Sequence, residues 1–228
     1  MAIVRMNLHN VFYISYLVPA ARIRSLVPKA LKLASDENNK VYVSFVAMKC
    51  LRARFSVFPL IKLSYYQLNL RTYVSDPKTG DAAVYFFNSG VSLGIIPVLT
   101  RFIGIAWEKI SFNVSKDYKG RYHATGYWLG EFSFEIDIAP SKKLNDAEAL
   151  HITGPMMGFI GPEGKTQGFR INHQALKVYP AVLNNIEFPL PLDNGLVTSK
   201  ELHDPDSVLV VPEAEFMISL PPAKVDNH

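Results

Sequence analysis

The chain has 228 residues, 49% of them hydrophobic and 12% aromatic, which is enough apolar material for the core of one large domain. Lys and Arg number 24 against 20 Asp and Glu, and so small an excess, scattered along the chain, argues against nucleic-acid binding. The only cysteine, Cys50, excludes an internal disulfide and is expected to be a buried, inert thiol. We predict a single domain over residues 1–228, with residues 221–228 frayed. Because the first residues lack the apolar stretch of a signal peptide, we expect a cytoplasmic protein.

Short apolar runs separated by turn residues recur along the chain, which is typical of antiparallel β structure. A short helix over Pro19–Val27 begins with proline in its first turn and ends at Pro28. We predict a mainly β fold, a closed antiparallel barrel or paired sheets, with one or two packed helices. The predicted strands are Tyr13–Tyr16, Leu31–Ala34, Lys40–Met48, Ser64–Ser75, Ala83–Asn88, Lys109–Ser115, Tyr122–Trp128, Phe132–Ile138, Met157–Ile160, Gln167–His173, Lys177–Phe188 and Ser207–Leu220.

The segment from Gly90 to Trp107 has about the length of a short membrane span. It carries Pro97 near its middle and Arg101 beyond it, and neither suits a helix in lipid. We therefore predict a buried or half-buried helix over Gly90–Gly104, bent near Pro97, and no membrane association.

One predicted strand, Tyr66–Val74, has a face that does not suit a core, because its side chains alternate between two faces. The largely apolar face carries Leu68, Leu70, Thr72 and Val74, and the polar or amphipathic face carries Gln67, Asn69, Arg71 and Tyr73. The polar face either meets water, as is common in antiparallel sheets, or lines the interior of a barrel. In the second case Arg71 offers its guanidinium to a carboxylate, and the buried charge demands an acidic partner or an anionic ligand.

No sequence pattern indicates a metal or a cofactor. The histidines are far apart and lack metal-ligand spacing, and the glycines after position 153 lack the pattern of a phosphate-binding loop. We therefore predict no metal site and no cofactor. The histidines are His9, His123, His151, His173, His203 and His228.

Three stretches, in this order, resemble the acetoacetate-decarboxylase-like superfamily, and more closely an uncharacterised bacterial family within it. The first runs from Phe12 to Leu33 and continues at Val41–Met48. The second joins Leu68–Val74 to Val84–Phe87, and the third runs from Ile171 to Ala181. The resemblance implies a closed β-barrel core with an internal cavity, and a homo-oligomer.

The resemblance does not extend to the residues of Schiff-base decarboxylation, which needs a lysine amine that is neutral near pH 7. The decarboxylases have a lysine pair after a proline, but Ile96–Phe102 contains no lysine. Ser44 stands where they have a glutamate, and His9 or Asn10 where they have an arginine. Acetoacetate decarboxylation is therefore not expected.

Three other lysines bear on this chemistry. Lys142 and Lys143 are adjacent but lie in a predicted solvated loop, where neighbouring ammonium groups repel each other only weakly. Lys109, in a predicted strand, is the remaining candidate amine.

The sequence leaves open whether the protein is an enzyme. The leading hypothesis is a barrel that binds a small organic acid or carbonyl compound. The predicted ligand-binding residues are Arg71, Asn69, Tyr73, Gln67, Ser44 and Tyr85. The alternative is a lyase or hydrolase-like enzyme acting on a keto acid, in which Arg71 binds substrate and His9 or His173 transfers protons. A third hypothesis is an interaction protein without a ligand, which should expose large apolar patches.

Overall fold

The computed structural model of the protein describes residues 2–56 and 58–225. The strands are β1 (Ala2–Pro19), β2 (Lys32–Leu33), β3 (Lys40–Phe55), β4 (Phe58–Ser75), β5 (Ala82–Val91), β6 (Glu108–Lys109), β7 (Ser111–Lys116), β8 (Tyr122–Tyr127), β9 (Glu131–Ile138), β10 (Met157–Ile160), β11 (Gln167–His173), β12 (Tyr179–Glu187), β13 (Ser207–Leu220) and β14 (Ala223–Lys224). The helices are α1 (Ala20–Ile23), which a 3₁₀ turn (Arg24–Leu26) follows, α2 (Ile95–Arg101), α3 (Asp146–Thr153), α4 (Pro189–Asp193) and α5 (Ser199–Leu202).

The strands form one large sheet, in the order β14-β11-β10-β5-β4-β3-β1-β13-β12-β9-β8-β7, with β2 beside β4 and β6 beside β5. An additional pairing between β11 and β13 closes a ring of hydrogen-bonded strands that also includes β10, β5, β4, β3 and β1. The predicted mainly β class is confirmed. The prediction of a wholly antiparallel sheet is wrong, because β5 pairs in parallel with both β10 and β6.

Every strand of the ring except β11 contributes described side chains to two separate cores. One core, which we call the outer core, lies between the ring and the layer formed by β7, β8, β9 and β12. Phe12 of β1, for example, packs edge-on against Tyr122 of β8, with 5.0 Å between ring centroids. The second core, the ring interior, contains Met6 and Tyr13 of β1 and side chains from every other strand of the ring. Because side chains alternate along a strand, neighbouring residues belong to different cores.

Irregularities bend the long strands around this interior. The pairing of β1 with β3 shifts between His9 and Phe12, where Asn10 has a positive φ of 50°. A second shift separates Leu70 from Arg71 in the pairing of β4 with β5. Extra residues of this kind increase strand twist and change the direction of side chains. The shift between β4 and β5 therefore decides which side chains of β5 point into the ring.

The prediction of one helix across Gly90–Gly104 is wrong. Strand β5 continues to Val91, and α2 begins only at Ile95, so Pro97 lies in its first turn, where the missing N–H costs little. Among residues 2–56 and 58–225, no helix has the length and apolarity needed to cross a membrane.

The sequence analysis also missed three helices, so the predicted number of helices is too low. Asn145 caps α3 by accepting a hydrogen bond from the backbone N–H of Glu148, and Thr198 with Glu201 forms a capping box at α5. Helix α4 begins with a proline. Within the tail predicted to be frayed, Ala223 and Lys224 form β14 and pair with β11. Residues 226–228 lie outside the described residues.

Gly126 provides a test of the close packing between β7, β8 and β9. A Cβ atom at this position would collide with the backbone carbonyl of Ser111 and the ring of Phe132. Gly126→Ala should therefore lower the free energy of unfolding by about 1–3 kcal/mol, measured by urea denaturation.

Gly94→Ala is the matched control. Gly94 precedes α2 with φ −62°, and an added Cβ would lie 3.4 Å from the nearest atom of Lys109, an ordinary contact. This substitution should stabilise the protein slightly, by roughly 0.4–1 kcal/mol, because it restricts the unfolded chain. Equal losses for both variants would contradict the packing described for Gly126.

Candidate functional site

The polar face of β4 is turned toward the ring interior. Tyr73 belongs to the interior core, whereas Leu68 and Leu70 belong to the outer core. Gln67 is only 8% exposed and Asn69 only 4% exposed. This face therefore does not meet bulk water, and the first of the two interpretations of the sequence is wrong.

Arg71 is half-buried among these side chains. Its Nη2 donates hydrogen bonds to the backbone oxygen of Ile152 at 2.7 Å and to the hydroxyl of Tyr73 at 3.3 Å. The guanidinium carbon lies 5.3 Å from the ring centroid of Tyr13 and 5.4 Å from that of Tyr73. Aromatic faces attract a cation, so these contacts offset part of the cost of removing the charge from water.

The hydrogen bonds of Arg71 do not use every N–H donor of its guanidinium. Its Nε is buried and has no hydrogen-bond partner among the described residues. Within the same part of the chain, no carboxylate forms an ion pair with Arg71. An acidic partner was one of the two expectations for an interior arginine, and the described residues do not supply it.

A chain of hydroxyl groups holds Tyr73 beside Arg71. The hydroxyl oxygens of Ser15 and Ser44 are 2.7 Å apart, and that of Ser44 is 2.9 Å from the Tyr73 hydroxyl. Tyr73 donates to the backbone oxygen of Ile152 at 3.1 Å. Because Ile152 lies near the end of α3, this helix covers one end of the ring and accepts hydrogen bonds from both Tyr73 and Arg71.

Gln67 and Asn69 form a buried amide pair farther along the same strand. The Nε2 of Gln67 donates to the Oδ1 of Asn69 at 2.9 Å, and the thiol of Cys50 lies 3.8 Å from the Oε1 of Gln67. Cys50 is fully buried, and burial raises the pKa of its thiol to about 12, so it is a weak nucleophile at neutral pH. This agrees with the inert thiol expected from the sequence.

Two adjoining cavities lie inside the ring. A polar hollow of about 60 Å³ is lined by Gln67, Asn69 and Arg71 together with Ser89 and apolar side chains. Near the opposite end of the ring, beside α2, an apolar chamber of about 310 Å³ extends the interior. The two cavities share four lining residues, Met6, Trp107, Phe169 and Ile218.

Tyr85 does not join this group. It lies opposite Thr72 in the pairing of β4 with β5 and belongs to the outer core, where its hydroxyl donates to the backbone oxygen of Gly161 at 3.2 Å. Side chains opposite each other in a sheet share a face, so Tyr85 points away from Arg71. Ser89, which the sequence analysis did not propose, lines the polar hollow.

The candidate catalytic residues lie outside the ring interior. His9 and His173 both line an open groove of about 710 Å³, where His9 Nδ1 is 3.3 Å from Glu213 Oε1. His173 stacks on Phe216 and contacts the backbone oxygen of Gln174 at 2.8 Å. Neither histidine lines the hollow that contains Arg71.

Lysine is likewise missing from the walls of both interior cavities, as far as residues 2–56 and 58–225 show. Lys109 is exposed on the short strand β6, next to Gly94. The stretch Ile96–Phe102, which the sequence analysis compared with the lysine pair of the decarboxylases, contains most of α2, and Ile96, Leu99 and Thr100 face the apolar chamber. The described residues contain no cluster of His, Cys, Asp and Glu suited to a metal ion.

His151 was not among the sequence candidates, yet its ring packs against Tyr73 of this set. It lies on α3 beside Ile152, and its ring is 4.9 Å from that of Tyr73 and 5.6 Å from that of Tyr42. Burial, together with the positive charge of Arg71, lowers the pKa of His151 below its ordinary value. The histidine is therefore neutral near pH 7. The capping pattern at Asn145 was the available signal for this helix.

One family model matches most of the chain. The model for DUF2071, an uncharacterized conserved protein, matches residues 5–215. The chain belongs to the DUF2071 family. No curated protein matches the sequence significantly.

Solved structures with the same fold include acetoacetate-decarboxylase-like proteins, which confirms the resemblance seen in the sequence of this DUF2071 protein. An acetoacetate decarboxylase-like enzyme from Sphingomonas wittichii RW1 superposes with a TM-score of 0.65 at 11% identity, over 99% of this chain and 94% of that one. Acetoacetate decarboxylase from Legionella pneumophila subsp. pneumophila str. Philadelphia 1 gives 0.61 at 11% identity, over 97% and 87%. The enduracididine biosynthesis enzyme MppR, complexed with pyruvate, gives 0.55 at 10% identity, over 96% and 86%. At these identities the likeness shows the fold.

The position of His151 predicts a pH dependence of stability. Its pKa is lowered by folding from the ordinary 6.5, so the unfolded chain binds a proton more readily below that pH. The stabilisation is fully present above pH 6.5 and is lost as the pH falls. His151→Phe keeps an aromatic ring but cannot be protonated, so its free energy of unfolding should fall less than that of the wild type between pH 7.5 and 5.5.

Chemical denaturation at several pH values measures this difference. His203, which is exposed, supplies the control variant His203→Phe, whose pH dependence should follow the wild type. If the free energy of unfolding changes with pH equally in the wild type and in His151→Phe, the packing of His151 does not favour its neutral form.

Proposed function

We propose that this DUF2071 protein binds a small organic acid or carbonyl compound inside its ring of strands, with the polar group of the ligand against Arg71. The observation that carries the proposal is a guanidinium in an interior hollow without a carboxylate partner among the described residues. A buried cation that lacks a counter-charge is costly, and a carboxylate or a polarised carbonyl group supplies the missing partner.

The surrounding groups suit the same ligand. Asn69 lines the hollow, and its Oδ1 accepts from Gln67. Its amide nitrogen has no hydrogen-bond partner within residues 2–56 and 58–225, so it can donate to a ligand oxygen. The serine hydroxyls behind Tyr73 fix the orientation of that ring and of Arg71. A hollow of about 60 Å³ has room for a carboxylate or keto group rather than for a whole metabolite. One solved structure of this fold, that of MppR, is complexed with pyruvate.

Schiff-base chemistry is not part of the proposal. A lysine that attacks a keto acid must lie in the cavity and have its amine in the neutral form. Apolar residues of α2 occupy the corresponding wall, and Lys109 is exposed. The alternative hypothesis of a lyase or hydrolase-like enzyme used His9 and His173, and both line the outer groove rather than the hollow of Arg71.

Replacing Arg71 tests the proposal. Isothermal titration calorimetry with pyruvate, acetoacetate and hexanoate should show that the wild type binds at least one of these monoanions. Arg71→Met should weaken that binding by roughly 10- to 100-fold, since hydrogen bonds to charged groups contribute about 1.5–3 kcal/mol. Arg170→Met, the same substitution at an exposed position on β11, should leave the affinity unchanged.

Two outcomes would contradict the proposal. The first is unchanged binding in a folded Arg71→Met variant, whose integrity is checked by circular dichroism. The second is a covalent adduct. The proposal predicts that the intact mass of the protein stays the same after incubation with acetoacetate and borohydride. A reduced adduct on Lys109 or another lysine would establish the Schiff-base route that the proposal excludes.

A further inference from the structure

The apolar chamber beside α2 is large compared with the polar hollow, and the proposed function does not yet use it. Its volume is about 310 Å³, at the lower end of the range for ligand sites. Side chains from the ends of β1, β3 and β13 form its walls, and α2 covers it. Representative lining residues are Val4, Ala53, Ile96, Leu99, Ile103 and Ile218.

The walls of this chamber are suited to hydrocarbon. Within the described part of the chain, no charged side chain lines it. The hydroxyl of Thr100 already donates to the backbone oxygen of Pro97 at 3.3 Å. A cavity with so few polar partners holds water poorly and gains free energy when an apolar group fills it.

The position of the chamber connects it to Arg71. Met6, Trp107, Phe169 and Ile218 line both the chamber and the polar hollow, so the two cavities adjoin, and a molecule that passes these four side chains reaches both. Such a molecule would have its anionic or carbonyl group at Arg71 and its apolar part toward α2.

We propose that the ligand is an amphipathic monocarboxylic acid whose apolar tail fills the chamber, an inference that rests on the function proposed for Arg71. A water molecule takes up about 30 Å³ in the liquid, and a methylene group is of similar size, so the chamber holds a tail of roughly eight to ten carbons. Pyruvate or acetate would fill only the polar hollow and leave the larger cavity empty.

The surface around α2 fits the same ligand. Ile61 and Leu99 line the chamber and are nevertheless 52% and 47% exposed, so the chamber reaches the protein surface at these side chains. Exposed apolar side chains at an opening mark a site of interaction. We call Ile61 and Leu99 the rim of the chamber, and in the proposal the apolar tail enters there.

A chain-length series tests the proposal. Calorimetric titration with straight-chain monocarboxylates from acetate to tetradecanoate, below their micelle concentrations, should give an affinity that rises about three- to fourfold per methylene. The rise should level off at about eight to ten tail carbons, when the chamber is full. Arg71→Met should weaken octanoate at least tenfold, and octan-1-ol should bind more weakly than octanoate.

Two adjacent positions on α2 offer a matched pair of variants. Leu99 lines the chamber and is 47% exposed, whereas Val98 is 51% exposed and does not line it. Leu99→Trp should weaken octanoate at least tenfold and leave acetate unchanged, while Val98→Trp should affect neither. Ala53→Leu, which narrows the chamber from β3, is a second variant with the same expected result.

The outcomes separate this inference from the proposed function. If affinity depends on Arg71 but is flat with chain length and insensitive to Leu99→Trp, the tail site is wrong and the function stands. If octanoate and octan-1-ol bind equally and Arg71→Met has no effect, the function fails and the inference fails with it. Self-association that Leu99→Trp and Val98→Trp disrupt equally, without carboxylate binding, would assign the rim to a second copy and overturn the proposal.

Discussion

The positive charge of Arg71 inside a ring of strands is the constraint on which the rest of the site depends. Moving an ion away from water is costly, and the protein meets that cost with a helix carbonyl, a tyrosine hydroxyl and two aromatic faces. None of these groups carries a negative charge at neutral pH. Burial raises the pKa of Tyr13, one of the two aromatic partners, to about 12. The guanidinium therefore keeps a net charge that no carboxylate of the described residues neutralises.

The backbone irregularities of the sheet give this arrangement its shape. The register shift opposite Arg71 places an extra residue in β5, and as a result Phe86 and Ser89 both line the hollow although they are three positions apart. Helix α3 covers the end of the ring near Tyr73, and α2 covers the other end. One helix thus supplies a hydrogen-bond acceptor, and the other supplies an apolar wall. The difference divides the interior into a polar and an apolar part.

The sequence predicted the fold class and separated the two faces of β4, because strict alternation over Gln67–Tyr73 is a local signal. It left open whether the polar face meets water or the interior. Ser44, named from the sequence as a ligand-binding residue, lies opposite Arg71 in the pairing of β3 with β4, and its part in binding stays a prediction. Tyr85 was misplaced because its face depends on the register between β4 and β5, which no local pattern reveals. His9 and His173 were candidates by residue type alone. His151 was missed together with helix α3. The residues before this helix have the composition of a loop, so Asn145 was not recognised as its N-cap.

The most direct measurement is a crystal structure of the protein with octanoate. The account predicts a carboxylate oxygen at hydrogen-bonding distance, about 2.7–3.2 Å, from the guanidinium of Arg71, with the hydrocarbon chain running toward α2. Arg71 turned into open solvent, or octanoate bound only in the outer groove beside His9 and His173, would contradict the account.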